Sequence, residues 1–295
     1  MQTPKRISYK YRSAAAALRS LSDGSVYFAA PHELNDALEA QFEPASSTEF
    51  VATLVATLTE LAQHRGEALA FAPDEAFADE FAQHFTNEEI HFKSACQQLG
   101  LFSSARRPDS QSMWAYYCND SRGVCFELEW PDEVLAEHQL MPTEIHYSSE
   151  PRIHNRADDL RDALLALSKQ HPDWSVDDLE RYSYTESFHQ QWIARSMGRA
   201  VSVKHKDWQH EGELRMIAPR VGALPVLQKI LKRIYYTRTD FPEWSPIIML
   251  AHQRYPEVEL AEVRFSHNAP LTRAVPIKKK LVPVQDIDPS QASEI

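Results

Sequence analysis

A chain of 295 residues with 43% hydrophobic residues can bury a sizeable core, which excludes a disordered protein. Its formal net charge of −11 argues against general binding to the nucleic-acid backbone, which needs a basic surface. This charge still leaves room for a small basic pocket that binds a phosphate-bearing ligand.

The cysteines and the glycines exclude several further classes of protein. The three cysteines, Cys96, Cys118 and Cys125, have no C-x-x-C spacing and favour reduced thiols in a cytoplasmic protein over a disulfide framework or a structural zinc site. We expect no signal peptide and no membrane span, because the first residues lack an apolar segment and no long apolar run follows. With seven glycines, the chain has neither the G-x-G-x-x-G nor the G-x-x-x-x-G-K-[ST] phosphate loop.

The first elements predicted are a strand, a helix and a second strand. Residues 8–12 predict a short strand, and Ser13 is a candidate N-cap for an alanine-rich helix over 14–21. Asp23-Gly24 indicates a turn before a strand over 26–29. The loop that follows carries Asn35 and Asp36, which are typical of turns and helix N-caps.

Two long regions, about 46–96 and 152–197, have a helical pattern, and we interpret them as helical insertions. Ser46 with Glu49 and Ser175 with Asp178 have the spacing of a capping box. Apolar side chains recur at helical spacing in the first region, where they predict core packing. They are Phe50, Leu54, Leu58, Leu61, Phe77, Phe81, Phe85, Ile90 and Phe92.

The remaining segments predict the strands of a sheet. A buried strand is predicted over 99–103 and ends at Ser103-Ser104. A helix over 112–117 then places Trp114 and Tyr117 on one face. A further strand follows over 124–129. Further strands are predicted over 144–147, 213–218, 231–236 and 258–265, with a short helix from 132, a helix over 245–254 and a small basic patch over 204–207. We therefore predict one α+β domain over 1–285, with a mixed, mainly antiparallel sheet, and a disordered tail over 286–295.

The segment before the strand over 213–218 carries two carboxylates one residue apart, followed by an arginine. If the strand extends back to Glu211, then Glu211, Glu213 and Arg215 share one face. Two carboxylates on one face repel unless a cation or a substrate lies between them, which suits acid or base chemistry. The simpler interpretation is a surface strand on which Glu213 and Arg215 are solvated.

Three groups of residues together form a recognisable set. The groups are Tyr9-Lys10-Tyr11-Arg12 with Asn35-Asp36 and Phe102-Ser103-Ser104, then Trp114-x-x-Tyr117 with Gly123-Val124, and Trp208-x-x-Glu211-x-Glu213-x-Arg215. As a set they resemble the bacterial domain-of-unknown-function family number 2971, over about residues 9 to 265. This sequence departs from the usual pattern at Ala37-Leu38, where Pro-Phe is common, and at Ser121, where a histidine often stands. The resemblance implies membership of the family and no function.

The chain also resembles the ADP-ribosyltransferases of the Arg–Ser–Glu class. These enzymes carry an arginine on the first core strand, a serine-rich motif on a later strand and a Glu-x-Glu pair, in the order of Arg12, Ser103-Ser104 and Glu211-x-Glu213. The Ser-Thr-Ser form of the serine motif is absent, and the intervals are stretched by the helical regions. The resemblance implies an ADP-ribosyltransferase-like fold and an enzyme that uses NAD as a substrate.

The same resemblance implies a role for each candidate residue. Glu213 is expected to hold the ribose 2′-hydroxyl and to stabilise the oxocarbenium-like transition state, while Glu211 orients or deprotonates the acceptor. Arg12 is expected to bind the pyrophosphate, and Ser103 or Ser104 the nicotinamide amide or Glu213. Arg215 is expected to pair with a carboxylate. The cofactor-binding set implied is Arg12, Tyr11, Asn35, Ser103, Ser104, Trp114, Tyr117 and Arg215, where Trp114 or Tyr117 stacks on a ring.

Three hypotheses about function follow. The first is NAD-dependent ADP-ribosyl transfer, as a bacterial toxin or an anti-phage effector, with a protein or nucleic-acid acceptor. The second is a non-catalytic interaction, sensor or immunity protein in which Glu211, Glu213 and Arg215 form a structural ion network. The third is a metal-dependent hydrolase or nuclease that uses Asp36, Glu211 and Glu213, which we rank last because no His/Asp spacing supports a metal site. An open pocket lined by Arg12, Ser103 and Glu213 favours the first hypothesis, and a closed core favours the second.

Overall fold

The structure is a computed structural model that describes residues 6–36, 38–68, 75–150, 152–265 and 277–279, with the side chains of 75–81, 83 and 277–279 left aside. The predicted tail over 286–295, residue 37, and the side chains of Phe77 and Phe81 therefore lie outside the described part. The chain forms two compact units. The first comprises the described parts of Met1–Ala30, Leu99–Ile145 and Lys206–Ile295, and the second comprises those of Pro31–Gln98 and His146–His205. The prediction of a single domain stays a prediction.

The first unit is built on an eight-stranded sheet with helices on both faces, and its strands β2 and β11 form a separate two-stranded ladder. Its strands are β1 (Arg6–Ser13), β2 (Val26–Phe28), β4 (Gly100–Ala105), β5 (Gly123–Trp130), β6 (Met141–Glu144), β10 (Glu213–Ala218), β11 (Gly222–Leu224), β12 (Leu231–Tyr236), β13 (Glu259–Glu262) and β14 (Ile277–Lys279). Its helices are α1 (Ala14–Asp23), α4 (Gln111–Tyr117), α5 (Asp132–Glu137), α9 (Leu227–Ile230) and α10 (Trp244–Arg254), together with the 3-10 helix Lys206–Glu211.

The second unit is mainly helical. Its helices are α2 (Ser47–Arg65), α3 (Glu75–Cys96), α6 (Arg156–Gln170), α7 (Val176–Ser183) and α8 (Glu186–Ala200), with a 3-10 helix at Pro31–Glu33. It also holds two short parallel ladders, in which β3 (Glu43–Pro44) pairs with β8 (Ile153–His154) and β7 (His146–Ser148) pairs with β9 (Val203–His205). Both predicted capping boxes are confirmed, at Ser46 with Glu49 and at Ser175 with Asp178.

The main sheet has the strand order β14-β13-β12-β5-β1-β4-β10-β6. Every pair in it is antiparallel except β12 with β13, which confirms the prediction of a mixed, mainly antiparallel sheet in an α+β chain. The three strands that carry Arg12, Ser103-Ser104 and Glu213 are the neighbours β1, β4 and β10. The order of the strands therefore brings together three segments that are far apart in the sequence.

Side chains alternate between the two faces of this sheet, and each face packs against a different helix. On one face, Phe102, Val124 and Met216 pack in a cluster with Ala17 and Leu21 of α1, and we call this the α1 face. On the other, Tyr11, Ala105 and Cys125 pack in a cluster with Met113 and Trp114 of α4, and we call this the α4 face. Both faces of β5 are almost fully buried, as expected for a strand inside a covered sheet.

Several sequence predictions are corrected by the structure. The strand predicted to end at Ser103-Ser104 continues to Ala105, because it pairs with β10 along its whole length. Within the helical region predicted over 152–197, residues 175–197 form two helices, because Thr185 caps a new helix by accepting a hydrogen bond from the Phe188 amide. Ile90 is 62% exposed rather than packed. Lys204 of the predicted basic patch is buried near Glu39.

The segments predicted as strands over 144–147 and 258–265 also differ. The first is divided into β6 and β7, because the buried Ile145 between them belongs to neither strand. The second is limited to β13, where the residues pair with β12. Local sequence determines the ends of helices and strands less well than it determines their presence.

The three cysteines are free and buried. Burial raises the pKa of the Cys96 and Cys118 thiols to about 12, and it raises the pKa of Cys125 well above its ordinary range. Since the thiolate is the reactive form, we expect the native protein to react only slowly with a thiol-specific disulfide reagent at mildly alkaline pH. Unfolding in denaturant should release three reactive equivalents. Rapid labelling of the native protein at any of the three sites would contradict their burial.

Candidate functional site

The two carboxylates of the Glu-x-Glu pair lie in different elements. Glu211 is the last residue of the 3-10 helix Lys206–Glu211, and Glu213 is the first residue of β10. Gly212 between them has φ +52, in the left-handed region that glycine adopts readily. The expectation that Glu211, Glu213 and Arg215 share one face of a single strand is therefore wrong for Glu211, because this turn interrupts the strand alternation.

Glu213 and Arg215 form a buried ion pair on the α4 face. The Arg215 Nε donates to Glu213 Oε1 at 2.8 Å, and the Nη2 lies 2.6 Å from the same oxygen. Their side chains are 2% and 0% exposed. A surface strand with solvated charges is therefore the wrong interpretation. A charged group excluded from water is tolerated only beside an opposite charge or a hydrogen-bond partner, so each member of this pair depends on the other.

Glu211 is held by a tyrosine of the adjacent helix. The Tyr117 hydroxyl, at the end of α4, donates a short hydrogen bond to Glu211 Oε1. Glu211 is 7% exposed and Tyr117 is partly buried. The predicted Trp114-x-x-Tyr117 helix and the Glu-x-Glu segment thus meet in space, although 94 residues separate Tyr117 from Glu211.

Trp114 and Tyr11 form the packed base of this region. Trp114 is 0% exposed, donates from Nε1 to the Pro108 carbonyl at 2.8 Å, and packs edge-on against Tyr11 at 5.5 Å between ring centroids. The Tyr11 hydroxyl donates to the Arg107 carbonyl and accepts from the Ser110 amide. Burial raises the pKa of Tyr11 above its ordinary value. Both rings are committed to the core, so the predicted stacking of Trp114 on a ligand ring is not supported.

The two serines of the predicted motif point to opposite faces. Ser103 lies in register with Arg215 and is on the α4 face. Ser104 is in register with Leu214, is on the α1 face, and donates its hydroxyl to the Leu214 carbonyl at 2.8 Å. Ser103 is therefore the serine that shares a face with Glu213.

Arg12 lies on the α1 face, opposite to Glu213. It is in register with Val124, whose side chain belongs to the α1-face cluster. Burial lowers the pKa of Arg12 to about 10, and its Nε is buried without a hydrogen-bond partner in the part of the chain that the structure describes. The proposed Arg12–Ser–Glu213 constellation is thus divided by the sheet, because adjacent residues of a strand alternate between faces.

The remaining predicted residue, Asn35, belongs to the second unit. It is exposed after the 3-10 helix Pro31–Glu33. Its neighbour Asp36 accepts from the Leu38 amide at 2.9 Å and pairs with Arg152 at 3.2 Å, which confirms the turn interpretation of Asp36. Over the ranges given above, no group of three or more histidine, cysteine or acidic side chains is placed to hold a metal ion.

A second polar network on the α4 face was not anticipated from the sequence. Arg233 of β12 donates to Glu127 at 2.9 Å and to Glu259 at 2.6 Å, and the Tyr235 hydroxyl donates to Glu127 at 2.7 Å. The only signal is a pair of charged residues, Glu127 and Arg233, inside strands that are otherwise largely apolar. The α4 face therefore has a polar cluster at each side of the strand β1.

Comparison with known families gives one match. The family described as "Protein of unknown function (DUF2971)" matches residues 113–216. The match begins in α4 and ends in β10, so it contains Tyr117, Glu211, Glu213 and Arg215. It covers less than half of the chain, and the resemblance outside this stretch stays a prediction. No curated protein and no solved structure gives a significant match. No helix of the described ranges is long and apolar enough to cross a membrane.

The buried pair can be tested by removing one charge at a time. Replacing Arg215 by methionine removes a cation that pairs with the buried Glu213 carboxylate, so we expect a loss of about 3–5 kcal/mol in unfolding free energy. The measurement is denaturant unfolding followed by circular dichroism. The double variant Arg215→Met, Glu213→Leu should recover part of that loss, because it removes both charges.

The chain offers a matched control with the same spacing. Glu262 and Arg264 also form a Glu-x-Arg pair, at 3.1 Å, but the Arg264 side chain is 63% exposed. Solvent screens such a pair, so Arg264→Met should change stability little. Equal effects of the two arginine substitutions would contradict the assignment of Arg215 to a buried ion pair.

Proposed function

We propose that this chain binds NAD and transfers its ADP-ribosyl group at the cluster of Tyr117, Glu211, Glu213 and Arg215. The observation that carries the proposal is the adjacency of β1, β4 and β10, the strands on which the resemblance to Arg–Ser–Glu ADP-ribosyltransferases depends. The mainly antiparallel sheet and the family match over Tyr117 to Arg215 are compatible with it. An ADP-ribosyltransferase-like arrangement of the sheet is part of the proposal.

The α4 face supplies most of the residues that the chemistry needs. It gathers Ser103, Glu213 and Arg215 from the two adjacent strands β4 and β10, and Tyr117 with Glu211 from the elements packed beside them. Arg12 and Ser104 lie on the α1 face, so they are not part of the proposed site. The pyrophosphate contact assigned to Arg12 therefore has to be made by another donor.

The reaction breaks the bond between ribose C1′ and the nicotinamide nitrogen. Nicotinamide leaves as a neutral molecule, the ribose becomes oxocarbenium-like, and an acceptor nucleophile then attacks C1′. In our proposal Glu213 accepts a hydrogen bond from the ribose 2′-hydroxyl and stabilises the cation, while Arg215 holds this carboxylate in place. Glu211 takes the proton of the acceptor, and Tyr117 orients Glu211.

The burial of the ion pair favours a second candidate function. Glu213 and Arg215 are 2% and 0% exposed, which suits a structural network in a non-catalytic interaction, sensor or immunity protein. Under this alternative, substitution of either residue lowers stability and no NAD chemistry exists to be lost. The two candidates therefore predict different results in one experiment.

The experiment measures nicotinamide release from NAD by the purified protein. Tyr117→Phe keeps the ring and removes the hydroxyl that orients Glu211, so we expect release to fall by about a hundredfold, the lower end of what a general base contributes. Glu211→Gln should lower release by at least as much. Arg12→Met should retain release, because Arg12 lies on the α1 face.

Each variant needs its unfolding midpoint as a control. No release by a wild-type protein that is folded, across protein and nucleic-acid acceptors, would overturn the transferase proposal and favour the structural alternative. Loss of release in Arg12→Met, with stability unchanged, would show that our assignment of the site to the α4 face is wrong.

A further inference from the structure

The second unit contains a polar cavity that none of the functions discussed above uses. A cavity of about 200 Å³ lies between its two short ladders and is lined by Phe42, His146, Ser148, Arg152, His154 and Val203, among others. A neighbouring cavity of about 400 Å³ shares Phe42, Ser148 and Arg152 with it. Because the two cavities share three lining residues they adjoin, which suits a ligand with a compact polar head in the smaller cavity.

His154 in this cavity is held by a buried carboxylate. Its Nε2 lies 3.1 Å from Asp159 Oδ2 and 3.0 Å from the Ser196 hydroxyl. The ring is stacked on Phe92 and packs edge-on against Phe42, so it is fixed on both sides as well as at Nε2. The hydrogen bond to Asp159 places a proton on Nε2, which leaves Nδ1 as an acceptor in the neutral ring.

Asp159 is built to remain ionised. Burial acts to raise its pKa, but hydrogen bonds from His154, Ser196 and Arg199 outweigh burial, and the pKa of Asp159 is lowered. The Ser196 hydroxyl donates at 2.7 Å, and Arg199 Nη1 donates at 2.7 Å. This set of donors fixes the tautomer of His154, since an ionised Asp159 can only accept.

Arg152 and Ser148 are donors that line both cavities, whereas Glu43 and Glu150 line only the larger one. Arg152 donates from Nη1 to the Leu38 carbonyl and from Nη2 to Asp36. The other N–H groups of its guanidinium can donate to a ligand. The Ser148 oxygen accepts from the Glu150 amide, so its own proton can be given to a ligand. Within the described ranges, the His154 Nδ1 and the His146 ring have no hydrogen-bond partner in the protein.

We propose that this cavity binds the phosphate group of a small phosphate monoester, with His154 Nδ1 accepting the proton of a protonated phosphate oxygen. Arg152 and Ser148 donate to the remaining oxygens, and the adjoining cavity receives the ester group beside Phe42. A cluster of donors with one fixed acceptor matches a tetrahedral anion that still carries an O–H. It does not match sulfate, which has oxygens of the same geometry and no proton at neutral pH.

The experiment compares inorganic phosphate with sulfate by isothermal titration calorimetry on the full chain near pH 7. We expect phosphate to bind at least about tenfold more tightly than sulfate, since sulfate leaves Nδ1 without a donor. His154→Phe keeps a ring and removes the acceptor, so the preference for phosphate should disappear. Ser148→Ala should weaken both anions by a similar factor, because it removes a donor that both can use.

Two controls separate a binding role from a structural one. His64→Gln changes an exposed histidine of the same unit and should leave both affinities unchanged. The unfolding midpoint of His154→Phe is measured beside its affinities, and if this variant fails to fold, wild type and Ser148→Ala still decide the question. Equal affinities for phosphate and sulfate in the wild type, no binding of either, or a preference that survives in a folded His154→Phe would each overturn the proposal.

Phenyl phosphate then tests the adjoining cavity, measured beside inorganic phosphate near pH 6, because the second pKa of a phosphate monoester is about 6. The ester group should add affinity over inorganic phosphate, because its ring is placed beside Phe42. Weaker binding of phenyl phosphate than of inorganic phosphate would contradict the proposal of a monoester and restrict the site to the free anion. Neither result depends on NAD turnover, so these experiments test the phosphate site independently of the transferase proposal.

Discussion

The buried pair of Glu213 and Arg215 is the constraint on which the candidate site depends. A guanidinium without solvent contact requires a carboxylate beside it, and the spacing of two residues on β10 provides one on the same face. Because β10 is hydrogen-bonded to both β4 and β6, this pair is fixed in the interior of the sheet. Glu211 and Tyr117 are then positioned at its edge by a left-handed glycine and the end of α4.

Most of the elements follow from local sequence. The helix α1 begins at the predicted Ser13 cap, both capping boxes are present, and the strand over 231–236 has the predicted bounds, because each depends on short-range hydrogen bonds or alternation. The division of 175–197 and the exposure of Ile90 were not predicted, since an apolar residue at helical spacing carries no information on which surface is finally covered.

The candidate site was predictable in its residue types and not in its geometry. Arg12, Ser103-Ser104 and Glu213, which the resemblance groups together, lie on three strands that are neighbours in the sheet. The face on which each side chain lies depends on the register between strands separated by about a hundred residues, and a shift of one residue reverses it. That is why Arg12 and Ser104 were grouped with Glu213, although they point to the α1 face. The His154–Asp159 contact was not predicted for a similar reason. Its functional interpretation depends on a cavity whose lining residues come from distant segments of the chain.

We propose that a nucleotide acts on the α4 face of the sheet and not on the α1 face. A crystal structure of the protein with NAD tests it most directly. Our account predicts that the ribose of the bound nucleotide lies on the α4 face, within hydrogen-bond distance of Glu213 and beside Tyr117 and Glu211. A nucleotide bound on the α1 face at Arg12, or crystals that never contain NAD at saturating concentration, would contradict it.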